Sequence, residues 1–85
     1  MKHAGAAALD RLEPLLAQIR ALPGLKEKSR GVFYRGGKAF LHFHEDRAGL
    51  FADLRLAGPE FERFRVETES EQSVFLSGVV FGLAR

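Results

Sequence analysis

The segment RGVFYRGGKAFLHFHED, residues 30–46, decides the fold, because two alternating stretches flank the pair Gly36-Gly37. A two-glycine loop is typical of a type I′ turn, in which both central residues need positive φ. We therefore predict a β-hairpin, with one strand over residues 30–35 and the other over residues 38–44.

Side chains on a strand point alternately to the two faces of the sheet. A regular register from the glycine turn places Phe33 opposite Phe40. The residues of the second strand that share the face of Phe40 are His42 and His44. We expect the core on the opposite face, which carries Ala39, Leu41 and Phe43.

A third strand is predicted over residues 50–56, after a turn near residues 46–49. To build one core, its leucine and alanine side chains must join the face of Leu41. Alternation then forces Phe51, Asp53 and Arg55 onto the histidine side. In the simplest register Asp53 lies opposite His42, and a short fourth strand is expected within residues 61–67.

Helices are predicted at both ends of the chain. Leucines at helical spacing mark the first helix, which ends at Pro23-Gly24. Within it, Pro14 either opens the last part of the helix or kinks it. Thr68 and Glu71 have the spacing of a capping box, which starts a closing helix that runs to about Leu83. The β-branched run over residues 73–83 is also compatible with a strand.

These elements predict one α+β domain over residues 1–85, arranged as a two-layer sandwich. It has an N-terminal helix, an antiparallel meander sheet of three to four strands and a C-terminal helix. A chain of 85 residues is long enough for one modest core and too short for a second. Because 46% of the residues are hydrophobic, the chain is expected to be globular.

The composition narrows the class of function. There is no cysteine, which excludes disulfides, thiolate zinc sites and a cysteine nucleophile. No apolar run is long enough to cross a bilayer, and an acid follows the first alanines too soon for a signal peptide. We therefore predict a cytoplasmic protein without a membrane partner. The absence of asparagine is typical of a thermophile or of a skewed genome composition.

The segment LPGLKEK, residues 22–28, follows the first helix, and GKAFLHFHEDRAGLFADLR, residues 37–55, follows the glycine turn. This order resembles the MmcQ/YjbR-like family of small bacterial domains, in which a similar helix, a Pro-Gly turn and a glycine-lysine strand start precede a sheet. The resemblance covers residues 16–55. It implies a compact α+β fold and a conjectured DNA-binding role, and it implies no catalytic residue.

His42, His44 and Asp53 are the side chains best suited to metal chemistry, because two imidazoles and a carboxylate suit zinc or non-haem iron. No fourth ligand is identifiable in the sequence, and phenylalanines share the expected face. Cross-strand pairing of an imidazole with Asp53 is the simpler interpretation. None of the four serines lies in a nucleophile-elbow context. We therefore predict no metal, no cofactor and no catalytic residue.

Basic residues cluster around the first hairpin, where they could contact phosphates. They are Lys26, Lys28, Arg30, Arg35 and Lys38. The alternative is a solvated hairpin whose charges keep edge strands from pairing with other molecules. The net charge of +2 is too small to indicate a nucleic-acid partner by itself, so weak nucleic-acid binding is a third hypothesis.

The preferred hypothesis is a non-catalytic binding or assembly module. Two helices of this size cover one sheet face, and three phenylalanines on the other face would form a large exposed patch, which usually marks a partner. The predicted interface contains Phe33, Phe40, His42, His44, Phe51, Asp53 and Arg55. We expect a homodimer joined through it. The alternative is a metal-dependent or acid–base enzyme that uses His42, His44 and Asp53.

Overall fold

The computed structural model describes all 85 residues and consists of a six-stranded antiparallel sheet and three helices that pack on one of its faces. The strands are β1 (Lys2–His3), β2 (Lys26–Ser29), β3 (Val32–Arg35), β4 (Lys38–Asp46), β5 (Gly49–Leu54) and β6 (Glu62–Arg65). The helices are α1 (Ala6–Arg11), α2 (Glu13–Arg20) and α3 (Glu69–Leu83). None of them has the length and apolar character that a membrane span needs.

The predicted α+β class and the helices at both ends are confirmed, but the sheet has more strands than expected. Strands β2 to β6 are neighbours in sequence order, as in a meander. Strand β1 pairs with the last part of β4, so His3 lies opposite His44. The two extra strands, β1 and β2, are short and carry charged or polar side chains, so they lack the apolar alternation that reveals a strand in a sequence.

The helices settle two points that the sequence left open. Leu12 has φ −93° and ψ 0° and separates α1 from α2, and Pro14 then lies in the first turn of α2, where its missing N–H costs no hydrogen bond. Residues 73–83 are helical, and Thr68 and Glu71 form both hydrogen bonds of the capping box.

The glycine hairpin forms as predicted at its turn and over the first two pairs, Arg35 with Lys38 and Tyr34 with Ala39, but not beyond them. Gly36 and Gly37 have φ of 57° and 86°, as a type I′ turn requires. Arg35 pairs with Lys38 next to the turn. A β-bulge follows, so that Phe33 faces Leu41 and not Phe40. Because the bulge adds one residue to β4, Phe33 lies on the core face and not on the face predicted for it.

Two phenylalanines assigned to the open face therefore belong to the core, and that part of the interface prediction is wrong. Phe33 and Phe40 are only 1% and 4% exposed. The Phe40 ring lies against α3, 3.3 Å from the position that a Cβ on Gly82 would occupy. The bulge lets both aromatic rings be buried, and such burial stabilises the fold.

Candidate metal centre on the histidine face

The sheet face opposite the helices is here called the histidine face, and it comprises His3, Val32, His42, His44, Phe51, Asp53, Arg63 and Arg65. Asp53 lies opposite His42 and Phe51 lies opposite His44, as the sequence predicted. On its other side Asp53 has Arg63 of β6 as its neighbour. Strands β4, β5 and β6 thus bring two imidazoles, a carboxylate and a guanidinium together on this face.

All three histidines of the chain meet on this face. One ring nitrogen of each lies within 4.8 Å of the others. His42 Nδ1 and His44 Nε2 are 2.9 Å apart, and the ring centroids of His3 and His44 are 4.8 Å apart. A protein with three histidines scattered at random would not place them together, so the cluster is the first candidate for a site.

Asp53 borders the cluster and is held by Arg63. The Asp53 carboxylate accepts hydrogen bonds from Arg63 Nε at 2.8 Å and from a terminal guanidinium nitrogen at 2.9 Å. These bonds lower the pKa of Asp53 below its ordinary value, so the buried carboxylate is ionised. Its Oδ2 atom lies 3.2 Å from His44 Nε2.

The surroundings of His42 lower its pKa below the ordinary value, which favours the neutral imidazole. Burial is the main cause that lowers the pKa of His42, and the neighbouring His44 adds to the effect. Its environment contains Asp53, which opposes the shift, and His3 and Arg63, which favour it. Metal coordination needs a neutral imidazole with a free lone pair, and the lowered pKa of His42 favours that form of the ring.

Hydrogen bonds alone do not satisfy His44. Its Nε2 faces two groups, His42 Nδ1 and Asp53 Oδ2, while its Nδ1 is buried without a hydrogen-bond partner. If Nε2 carries the proton, it donates to His42 Nδ1 or to Asp53 Oδ2, and Nδ1 is left as a buried acceptor without a donor. If Nδ1 carries the proton, Nε2 confronts the carboxylate with its lone pair and a buried N–H has no acceptor. A cation bound to Nε2 would remove the repulsion of this second case, in which the proton is on Nδ1.

The spacing of the nitrogens is compatible with a first-row metal. With metal–nitrogen bonds near 2.0–2.1 Å, tetrahedral ligand atoms lie about 3.3 Å apart. The 2.9 Å separation of His42 and His44 is close to this value. His3 is exposed on the two-residue strand β1, and its ligating nitrogen lies within 4.8 Å of those of His42 and His44.

Arginine side chains cover the remaining aromatic rings of this side of the sheet. The Arg65 guanidinium lies 5.5 Å from the ring centroid of Phe51. Arg55 lies 4.5 Å from the ring centroid of Phe61, whose centroid is 4.8 Å from that of His42. Phe51 thus lies on the histidine face, as the sequence predicted, but the open patch of three phenylalanines does not exist.

Two of the predicted phosphate-binding residues, Arg30 and Arg35, make contacts within the chain. Arg30 pairs with Asp10 at 2.9 Å and with Glu13 at 2.8 Å. Arg35 donates hydrogen bonds to the carbonyl oxygens of Gly82 and Leu83 at the end of α3. Both cations are therefore engaged within the chain. Lys26, Lys28 and Lys38 are exposed and make no ion pair within the chain. The Lys28 Nζ lies 4.8 Å from the centroid of the Tyr34 ring.

Sequence reasoning missed His3 and Arg63. His3 lies in a two-residue strand, and Arg63 lies in a fourth strand whose register was not predicted. The sequence offered one signal for His3: it is the only histidine besides His42 and His44, which were predicted to share a face.

Comparison of the chain with protein-family models, with curated proteins and with solved structures finds no match.

Proposed function

We propose that this protein binds a divalent transition-metal ion through His3, His42 and His44. The observation that carries the proposal is the convergence of all three histidines within 4.8 Å on one sheet face. The lowered pKa of His42 and the 2.9 Å approach of His44 Nε2 to His42 Nδ1 support it. This proposal replaces the expectation that the face holds no metal.

Imidazole nitrogens suit Zn²⁺, Cu²⁺, Ni²⁺ and iron, and three histidines with one further position are typical of zinc sites. In our proposal Asp53 lies beside the metal and stays paired with Arg63, since both of its oxygens already accept hydrogen bonds. The carboxylate would then favour the cation by its charge. The proposed function is metal binding, and the enzyme alternative would use the same His42, His44 and Asp53.

Metal binding is tested with protein purified without an affinity tag, because a histidine tag would bind the same ions. We expect one Zn²⁺ or Co²⁺ per chain by calorimetry and a higher melting temperature when the ion is added. The variants His42→Ala and His44→Ala should lose both effects. Since the chain has no cysteine, the Co²⁺ absorption spectrum should report nitrogen and oxygen ligands without thiolate bands.

The matched control keeps the number of histidines and breaks their geometry. In the double variant His3→Ala with Gln18→His, the third histidine moves to the exposed surface of α2. This variant should bind metal as weakly as His3→Ala alone. If the wild type shows no saturable binding, or if binding survives His42→Ala, the proposal is wrong.

The homodimer, the nucleic-acid binding and the cytoplasmic location are further proposals. The homodimer needs another surface, since Phe33 and Phe40 are buried within the chain. Nucleic-acid binding would rest on Lys26, Lys28 and Lys38. The cytoplasmic location and the resemblance to the MmcQ/YjbR-like family also remain predictions from the sequence.

A further inference from the structure

The outward face of α3 is apolar and exposed. Val74, Val80 and Phe81 are 63%, 49% and 57% exposed, and they are the large hydrophobic residues with the highest exposure apart from Met1. The other exposed residues of this face are Ser70, Ser73, Ser77 and Ala84. The inward face packs on the sheet through Phe75 and Val79, so α3 is apolar on both sides.

No charged residue lies on this outward face between Glu71 and Arg85. A surface helix of a globular protein ordinarily has charged and polar side chains opposite its core stripe. By contrast, the exposed sides of α1 and α2 carry Arg11 and Arg20 in ion pairs with Glu67 and Glu13. The outward face of α3 therefore has the character of an interface core, which is depleted in charge.

We propose that this face binds a second copy of the same chain, with the two α3 helices antiparallel and a two-fold axis at Ser77. A two-fold interface must be self-complementary. If one residue of the first protomer contacts a second residue of its partner, the same contact recurs with the protomers exchanged. The residue spacing of α3 has this property. Val74 and Val80 lie three positions on either side of Ser77, and Glu69 and Arg85 lie eight positions on either side.

The ends of the helix supply the charge complementarity. An antiparallel arrangement about Ser77 brings the start of one α3, where Glu69 lies, to the same level as the end of its partner's α3, which Arg85 follows. Neither residue makes an ion pair within its own chain. The Arg85 guanidinium lies 5.8 Å from the ring centroid of Phe81, so it is already on the outward side.

The centre of the proposed interface permits close approach. Ser77 is small, and Ser73 lies opposite Phe81 of the partner when the axis passes through Ser77. Small side chains opposite large ones let two helices interdigitate at short axial distances. The interface does not include the histidine face, so this proposal stands whether or not the protein binds metal.

The first test is sedimentation of the untagged protein over a range of concentration. We expect a dimer for the wild type and a folded monomer for Phe81→Asp and for Val74→Asp. The control Ala17→Asp adds the same charge to the exposed surface of α2 and should stay dimeric. A monomeric wild type at high micromolar concentration would overturn the proposal, as would a dimer that is insensitive to both α3 variants.

The second test locates the axis. Because the chain has no cysteine, Ser77→Cys introduces a single thiol, which should form an intermolecular disulfide readily under mild oxidation. Ala17→Cys should cross-link only slowly. Efficient cross-linking of Ala17→Cys with none of Ser77→Cys would show that the chains associate elsewhere.

The third test concerns orientation. Glu69→Arg and Arg85→Glu should each weaken the dimer, and the double exchange should restore part of the affinity. Single losses without any recovery in the double variant would contradict the antiparallel arrangement, because parallel helices bring like ends together.

Discussion

Phe33 and Leu41 face each other across the first hairpin, one residue out of the register that the glycine turn alone would set. The shift places Phe33 and Phe40 in the same core, under the helices. Phe51, on the next strand, keeps its place on the histidine face. The three phenylalanines that alternation would put on one face are thus divided between two environments.

This division predicts different costs for two truncations. Phe40→Ala should lower the free energy of unfolding by about 3–5 kcal/mol, because it leaves a cavity beside α3. Phe51→Ala should cost about 1 kcal/mol, since its ring lies at the surface beneath Arg65. Urea unfolding of the two variants measures the difference, and equal costs would favour the regular register.

A second prediction concerns the turn that defines the hairpin. Replacing Gly36 and Gly37 by valine should cost about 2–4 kcal/mol in total, at about 1–2 kcal/mol for each residue forced into the left-handed region. A Cβ at either position meets no atom within 4 Å, so the cost is backbone strain and not a steric clash. Thermal or urea unfolding measures it.

The matched control for the turn is Gly36→Asn. Asparagine tolerates positive φ, and Asn-Gly is a favoured type I′ pair. We expect stability within about 0.5 kcal/mol of the wild type for this variant. A loss as large as that of the valine variant would show that crowding and not backbone conformation limits the turn.

The parts of the fold that local patterns determine were predictable from the sequence. Gly36-Gly37 requires a tight turn, Thr68 and Glu71 require a helix start, and the alternation of β5 places Asp53 opposite His42. The bulge at Phe40 was not predictable in this way, because it depends on how closely α3 approaches at Gly82. Packing between distant segments decided that register.

The histidine site was likewise only partly predictable from the sequence. Two of its histidines follow from strand alternation, but His3 joins them only because β1 pairs with the end of β4. A two-residue strand has no periodicity to detect. The pairing of Asp53 with Arg63 likewise depends on the position of β6, which follows an irregular segment after Gly58.

A third prediction is that Arg35 contributes to stability, whereas Lys38, which belongs to the same predicted phosphate-binding set, does not. Arg35 donates to the carbonyl oxygens of Gly82, Leu83 and Arg85, where a cation also complements the negative end of α3. Arg35→Met should therefore lower the free energy of unfolding by about 1.5–3 kcal/mol. Lys38→Met, directly across the hairpin and exposed, should change it by less than about 0.5 kcal/mol. Similar effects for both variants would mean that Arg35 does not hold the end of α3.

The last prediction is the pH dependence of the metal-free protein, measured by urea unfolding with a chelator present. The pKa of His42 is lowered in the folded state from its ordinary value of 6.5, chiefly by burial, so folding opposes protonation of this ring. Stability should be constant above pH 6.5 and should fall as the pH drops from 6.5 through the lowered pKa. The lowered pKa of Asp53 acts in a separate window, and its contribution is lost only as the pH falls below its ordinary value of 3.8.

The variant His42→Gln tests the decline in stability just below pH 6.5 separately from the decline below pH 3.8. It removes the titrating ring and keeps Asp53 with Arg63, so the decline just below pH 6.5 should become shallower while the decline below pH 3.8 remains. With saturating Zn²⁺ the wild type should decline more steeply, because protons then compete with the metal for the imidazoles. An unchanged profile in His42→Gln would show that burial of His42 does not control stability in this range.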